Sequence, residues 1–104
     1  MIFLKIFVDM LTAHTIKIIQ SLDKKKYRQK YNLFLVEGNK IIKELPNSDY
    51  EITELYSTDP DTLNLENSKV HKIQPAELKK ISFFFSFKDS VAVCRIPERE
   101  KLIA

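Results

Sequence analysis

The sequence predicts an α/β domain, a compact sandwich of about four mixed strands with flanking helices. Three observations predict it. First, the apolar run Leu33, Phe34, Leu35, Val36 ends at Glu37 and the chain's single glycine, Gly38, and a helical apolar pattern starts at Ile41 and Ile42. That is the strand-to-helix corner that opens a βαβ unit. Second, residues 51–57 alternate with period two and residues 91–96 form a near-continuous apolar run, so both read as strands. Third, helical spacing at Ile16, Ile19 and Leu22, and again at Leu78 and Ile81, sets helices between the strands. Strands alternating with helices give a layered α/β architecture.

The elements follow in order. Residues 1–10 are apolar apart from Lys5 and Asp9. They are too few to span a bilayer and lack the basic start of a signal peptide. With Met10 directly before the first helical pattern, they read as an N-terminal extension to a domain covering residues 11–98. Thr12 is placed to cap the first helix, because its hydroxyl can accept an N–H of the first turn. Asp23 can restart a second helix, which carries Lys24, Lys25, Lys26, Arg28 and Lys30 around Tyr27 and Tyr31.

After the glycine corner, a helix over 39–45 stops at Pro46-Asn47-Ser48. The strand over 51–57 is expected to run parallel to the one over 33–36. Residues 58–61 read as a turn around Pro60, followed by a polar loop to Ser68. Residues 70–73 make a short third strand. Gln74-Pro75-Ala76-Glu77 opens a helix, with proline in its first turn and an early acid favouring the helix dipole. The strand over 91–96 ends at Pro97 and is expected beside residues 33–36 as a central pair. Residues 99–104 read as the start of a linker.

At 104 residues with 44% hydrophobic and 30% charged content, the chain can bury one core without metal or disulfide staples. Cys94 is the only cysteine, which excludes an internal disulfide and fits a reducing cytoplasmic setting. It stands in an apolar run and reads as a small buried hydrophobe. The net charge of +3 is unevenly distributed. Between Lys17 and Lys43 eight basic residues face two acidic ones, whereas residues 44–66 hold seven acidic residues and no Lys or Arg. Such segregation predicts a basic face suited to a polyanion, or else a solvated lysine surface.

No catalytic apparatus is legible. One glycine cannot build a phosphate-cradling loop, His14 and His71 have no partners at metal-ligand spacing, and Asp59 and Asp61 flank a proline turn where aspartate is favoured. The basic segment is the stronger signal, since lysines interleaved with aromatics supply phosphate neutralisation and stacking surfaces. The two tyrosines, four apart, equally fit one core-facing helical stripe. Glu37 would repel phosphate, so it reads as structural: it could accept N–H groups of the following helix or hold Arg28 in place. Residues 83–87 put four phenylalanines into five positions. So small a domain cannot bury them all, and docking against another domain or subunit, core packing and base stacking are each open uses.

These residues carry a resemblance. Ile16-Lys17, Ser21-Leu22, Lys25-Lys26 and Arg28, then Phe34-Leu35-Val36-Glu37-Gly38 and Lys40, with Val91-Ala92-Val93 and Ile96-Pro97-Glu98 at the close, resemble the N-terminal substrate-binding domain of SpoU (TrmH-type) RNA ribose 2′-O-methyltransferases. Asp89-Ser90 stands where that family often has Gln-Gly. The resemblance implies a fold similar to kink-turn-binding ribosomal proteins and a role in binding tRNA or rRNA. Lys17, Lys24, Lys25, Lys26, Arg28, Lys30 and Lys40 would contact RNA, and Glu37 and Gly38 would shape the corner. It further implies a C-terminal knotted catalytic domain that binds S-adenosylmethionine and forms a homodimer; neither its motifs nor any catalytic residue occur in this chain. A free-standing kink-turn-type RNA-binding protein, or a protein-interaction domain using residues 83–87, are the alternatives.

Overall fold

The computed structural model describes residues 11–63, 70–84 and 89–98. The expected N-terminal extension, the start of the linker, most of the polar loop before the third strand and positions 85–87 of the phenylalanine run lie outside the described residues.

Helix α1 (Ala13–Ser21) begins at Thr12, whose hydroxyl accepts the Thr15 N–H as a cap. Helix α2 (Lys25–Tyr31) ends at Asn32, the one described non-glycine residue with positive φ, 64°. Asparagine tolerates this left-handed position better than most residues, and the reversal turns the chain into β1 (Leu33–Glu37). Gly38 follows with φ 97° and ψ 132°, a conformation costly for any residue with a Cβ. It leads into the short helix α3 (Asn39–Ile42) and a 3₁₀ turn at Leu45–Asn47. Strand β2 (Glu51–Ser57), helix α4 (Pro60–Leu63), strand β3 (Val70–Lys72), helix α5 (Pro75–Ile81) and strand β4 (Ser90–Arg95) complete the domain. The predicted opening of α5 is present as a capping box, in which the Gln74 N–H donates to the Glu77 carboxylate at 3.1 Å.

The sheet order is β1-β4-β2-β3. Strand β4 is antiparallel to both β1 and β2, and β2 is parallel to β3. Strands β1 and β2 therefore run in the same direction, as expected, but with β4 inserted between them. Among the described residues strand β1 is an edge rather than half of a central pair; β4 alone of the two is central, and it is buried throughout except at Arg95.

Side-chain alternation divides the core into two layers. Leu33, Leu35, Val91, Val93 and Tyr56 face α1 and α5, where Ile19, Leu22, Leu78 and Ile81 are buried. Phe34, Val36, Ala92, Cys94 and Leu55 face the opposite layer, with Ile42, Leu45 and Leu63. Two expectations need correction. The alternation in β2 is broken between Ile52 and Glu54, where the register shifts; Thr53 is the extra residue, and its hydroxyl donates to the Val93 carbonyl at 3.0 Å. The bulge lets Ile52 and Leu55 share one face. Residues 60–63, expected as turn and loop, form α4 because Leu63 is buried in the second layer.

Candidate nucleic-acid interface

Helix α2 holds most of the predicted basic residues. One stripe of the helix is anchored: Tyr31 packs on the first core layer, and Tyr27 and Tyr31 stack with ring centroids 6.4 Å apart. The rest faces solvent, so Lys24, Lys25, Lys26 and Lys30 are exposed, as is Lys17 on α1. Lys26 Nζ lies 5.0 Å from the Tyr27 ring centroid and Lys30 Nζ 5.4 Å from that of Tyr31. These cation–π contacts and the half-burial of both rings commit the tyrosines to the domain itself. The helix thus offers phosphates a row of ammonium groups on a rigid base, with little free aromatic face.

Arg28 also has partners within the domain. Its Nη1 donates to the carbonyls of Leu22 and Asp23 at 2.9 and 3.0 Å, satisfying acceptors at the end of α1 and joining the two helices.

The corner after β1 is a second polar centre. Glu37, 9% exposed, neither caps α3 nor meets Arg28. Its carboxylate accepts from the Ser82 hydroxyl at 2.5 Å and the Phe83 N–H at 2.8 Å, pinning the segment after α5 to the end of β1. The Gly38 N–H donates to the Ser90 carbonyl at 2.9 Å, and Asp89 Oδ1 accepts the Asn39 N–H at 2.9 Å. Behind them the Ser90 hydroxyl meets the Asn39 amide oxygen and lies 2.6 Å from Ser57 Oγ, which accepts the Asp59 N–H at 2.9 Å. Sequence reasoning missed Asn39, Ser57 and Ser90. The signal was weak: a small polar residue at one terminus of each of two strands, Ser57 in β2 and Ser90 in β4. A cleft of about 230 Å³ lined by Glu37, Gly38, Asn39, Lys40, Ile41 and Asp89 opens at this corner.

The basic residues do not gather beside the glycine. Lys17 and those from Lys24 to Lys30 belong to α1 and α2, whereas Lys40 lies on α3, across the sheet. Helix α2 enters β1 at its start and Gly38 lies at its end, roughly 13–17 Å apart for five extended residues. The basic face predicted from the charge segregation is therefore divided between two places: a lysine-rich helix at one end of β1 and Lys40, on α3, at the other.

Comparison with known proteins decides the family. Residues 13–84 match the model of the MRM3-like substrate-binding domain. The chain belongs to that family. The MRM3-like domain is also similar in structure to a protein from Porphyromonas gingivalis described as an RNA methyltransferase of the TrmH family. Their TM-score is 0.73 and their identity 29%, over 86% of this chain and 37% of that protein. An RNA 2′-O ribose methyltransferase shares the fold with a TM-score of 0.68 at 23% identity, over 81% of this chain and 35% of that one. The MRM3-like domain thus spans little more than a third of either protein. No curated protein matches it.

Proposed function

We propose that this MRM3-like domain binds a structured tRNA or rRNA through the α1–α2 layer and presents it to a ribose 2′-O-methyltransferase domain that follows in the intact protein. The observation that carries the reading is α2: three exposed lysines on one short helix, with exposed Lys24 at its N-cap, and Tyr31 packing the helix on the core. Lys17, Lys24, Lys25, Lys26 and Lys30 neutralise phosphates and set register. Arg28 keeps α2 aligned with α1, and the shape and 2′-hydroxyls of the RNA supply selectivity.

The Ile96 N–H donates to the Asn32 carbonyl at 2.9 Å, so the chain leaves β4 beside the end of α2. A domain attached there is tethered next to the lysine row, which suits delivery of bound RNA to a neighbouring active site. The methyl donor belongs to that domain. The corner cleft, about 230 Å³, is smaller than the roughly 300–1,000 Å³ of small-molecule and cofactor sites, so it does not fit S-adenosylmethionine. Homodimerisation is likewise assigned to the catalytic domain. Among the described residues no helix is long and apolar enough to cross a membrane, and the free Cys94 suits a cytoplasmic protein.

The test is binding of a folded tRNA and an rRNA fragment across a salt series. The expected result is steep salt dependence, with a shallower slope for Lys25→Glu/Lys26→Glu because two phosphate contacts are lost. Absence of binding at low salt overturns the proposal.

A further inference from the structure

The basic surface does not stop at α2. Helix α5 carries Lys79 and Lys80 in its last turn, both exposed. It packs on α1 through Leu78 and Ile81, which are buried in one cluster with Ile19 and Leu22. The two helices are also tied at their surface, where Gln20 Nε2 of α1 donates to the Lys80 carbonyl at 2.8 Å. Lys17 stands one turn before Gln20, and both are exposed, so they share the outer stripe of α1. Arg28 ties α2 to the end of the same helix through the Leu22 and Asp23 carbonyls. Helix α1 is thus bonded near its C-terminal end to both α2 and α5, and the lysines of all three helices belong to one layer.

The charge of this layer favours a polyanion. Helices α1 and α2, the residues joining them, and α5 hold seven lysines against two carboxylates, Asp23 and Glu77. Glu77 is engaged at the opposite end of α5, where it accepts the Gln74 N–H. Neither Lys79 nor Lys80 pairs with a carboxylate among the described residues. The aromatic rings on these helices are Tyr27 and Tyr31, half-buried and each approached by a neighbouring lysine. A surface of cations without free rings reads backbone rather than stacked bases. Its lysines also stand on separate helices, whose axes lie about 8–10 Å apart where they pack. Such spacing asks for phosphates spread over a surface, as in a duplex, rather than along a single line. We infer that Lys79 and Lys80 form a second row of phosphate contacts, and that the α1–α2–α5 face takes a double-helical segment of RNA. This rests on the reading of the domain as an RNA binder, and adds to it a helix and the form of RNA that is bound.

The test titrates the chain with a fully paired RNA hairpin and with an oligouridine of equal length, by fluorescence anisotropy between about 50 and 200 mM salt. The hairpin is expected to bind more tightly. Lys79→Gln/Lys80→Gln should make its salt slope shallower by about 0.9 per lost contact, so that the wild type loses about tenfold more affinity than the variant over this range. Lys25→Glu/Lys26→Glu should weaken the hairpin as well. Lys40→Gln/Lys43→Gln removes the same charge from the other side of the sheet and should leave the slope as in wild type. If Lys79→Gln/Lys80→Gln keeps the wild-type slope while Lys25→Glu/Lys26→Glu does not, the second row is overturned and RNA binding by α2 stands. If Lys40→Gln/Lys43→Gln shifts the slope equally, net charge and not this face is responsible, and the inference fails. Oligouridine binding as tightly as the hairpin overturns the double-helical segment. If neither RNA binds at low salt, the reading of the domain falls and this contact with it.

Discussion

Glu37 and Ser82, 45 positions apart, meet through a 2.5 Å hydrogen bond from the serine hydroxyl to the carboxylate. With the adjacent Phe83 N–H, this ties the exit of α5 to the end of β1 at a nearly buried site. Glu37→Gln places an amide NH₂ where one of two donors now points. An unsatisfied buried donor costs about 1–3 kcal/mol, or roughly 4–8 °C in Tm per kcal/mol for a domain of this size. Thermal melts should show this drop, with affinity for fully paired RNA, held by α2, changing far less. A loss of that affinity at unchanged Tm contradicts the structural role.

Arg28 is the structural member of the basic set on α2. Its contacts with the Leu22 and Asp23 carbonyls are hydrogen bonds from one charged, part-exposed Nη1, together worth about 1.5–3 kcal/mol. Arg28→Ala should therefore lower stability by about 2 kcal/mol, and Arg28→Lys should recover only part, because an ammonium lacks the planar fork. Lys25→Glu/Lys26→Glu alters exposed positions and should stay within about 0.5 kcal/mol of wild type. Urea denaturation of the three variants checks the contrast; equal losses would mean that Arg28 is one more surface charge.

Gly38 is the position where backbone geometry decides. At φ 97° and ψ 132°, Gly38→Ala forces a Cβ into a sparsely populated region at about 1–3 kcal/mol. The added methyl also enters the cleft shared with Ile41 and Lys40. Chemical denaturation should show the loss, and Asn32→Gly, at the other positive φ, should be close to neutral. A fully stable Gly38→Ala would show that the corner relaxes.

Much of this was legible in the sequence, for local reasons. The apolar run before a lone glycine fixes β1 and its turn, and Gln74-Pro75-Ala76-Glu77 carries its own capping box. What escaped depends on pairing between distant segments. The insertion of β4 between β1 and β2 leaves no local mark, and the bulge at Thr53 shows only in the odd spacing of Ile52 and Leu55, which could not share one face of a regular strand. Leu63 sits in a polar stretch and shows helix only once its core is known. At the interface, residue types revealed the lysine row, whereas the partners of Glu37 and Arg28 lie on other elements. The charge count could not tell that Lys40 is parted from α2 by the sheet.

Alkaline pH should loosen the domain through two buried acids. Burial, reinforced by the nearby Glu54 carboxylate, pushes the Tyr56 phenol from 10.0 up to about 12, and burial pushes the Cys94 thiol from 9.0 up to about 11. Both groups are neutral in the fold and ionise more readily in the unfolded chain, so the unfolded state binds fewer protons between each pair of values. Their contribution is fully present below about pH 9, declines as Cys94 and then Tyr56 ionise in the unfolded chain, and is lost as pH passes the folded values. Two units correspond to about 2–3 kcal/mol for each group. Tyr56→Phe keeps the ring stacked on His71, whose centroid lies 5.2 Å away, and removes the titrating hydroxyl. Urea denaturation from pH 8 to about 11.5 should show the wild type losing stability relative to Tyr56→Phe once pH exceeds 10. Cys94→Ala should remove the part of the decline that begins near 9. Because the rest of the chain is common to all three proteins, the differences isolate the buried groups. A wild-type to Tyr56→Phe difference that stays constant across the range would show that the phenol is solvated in the fold.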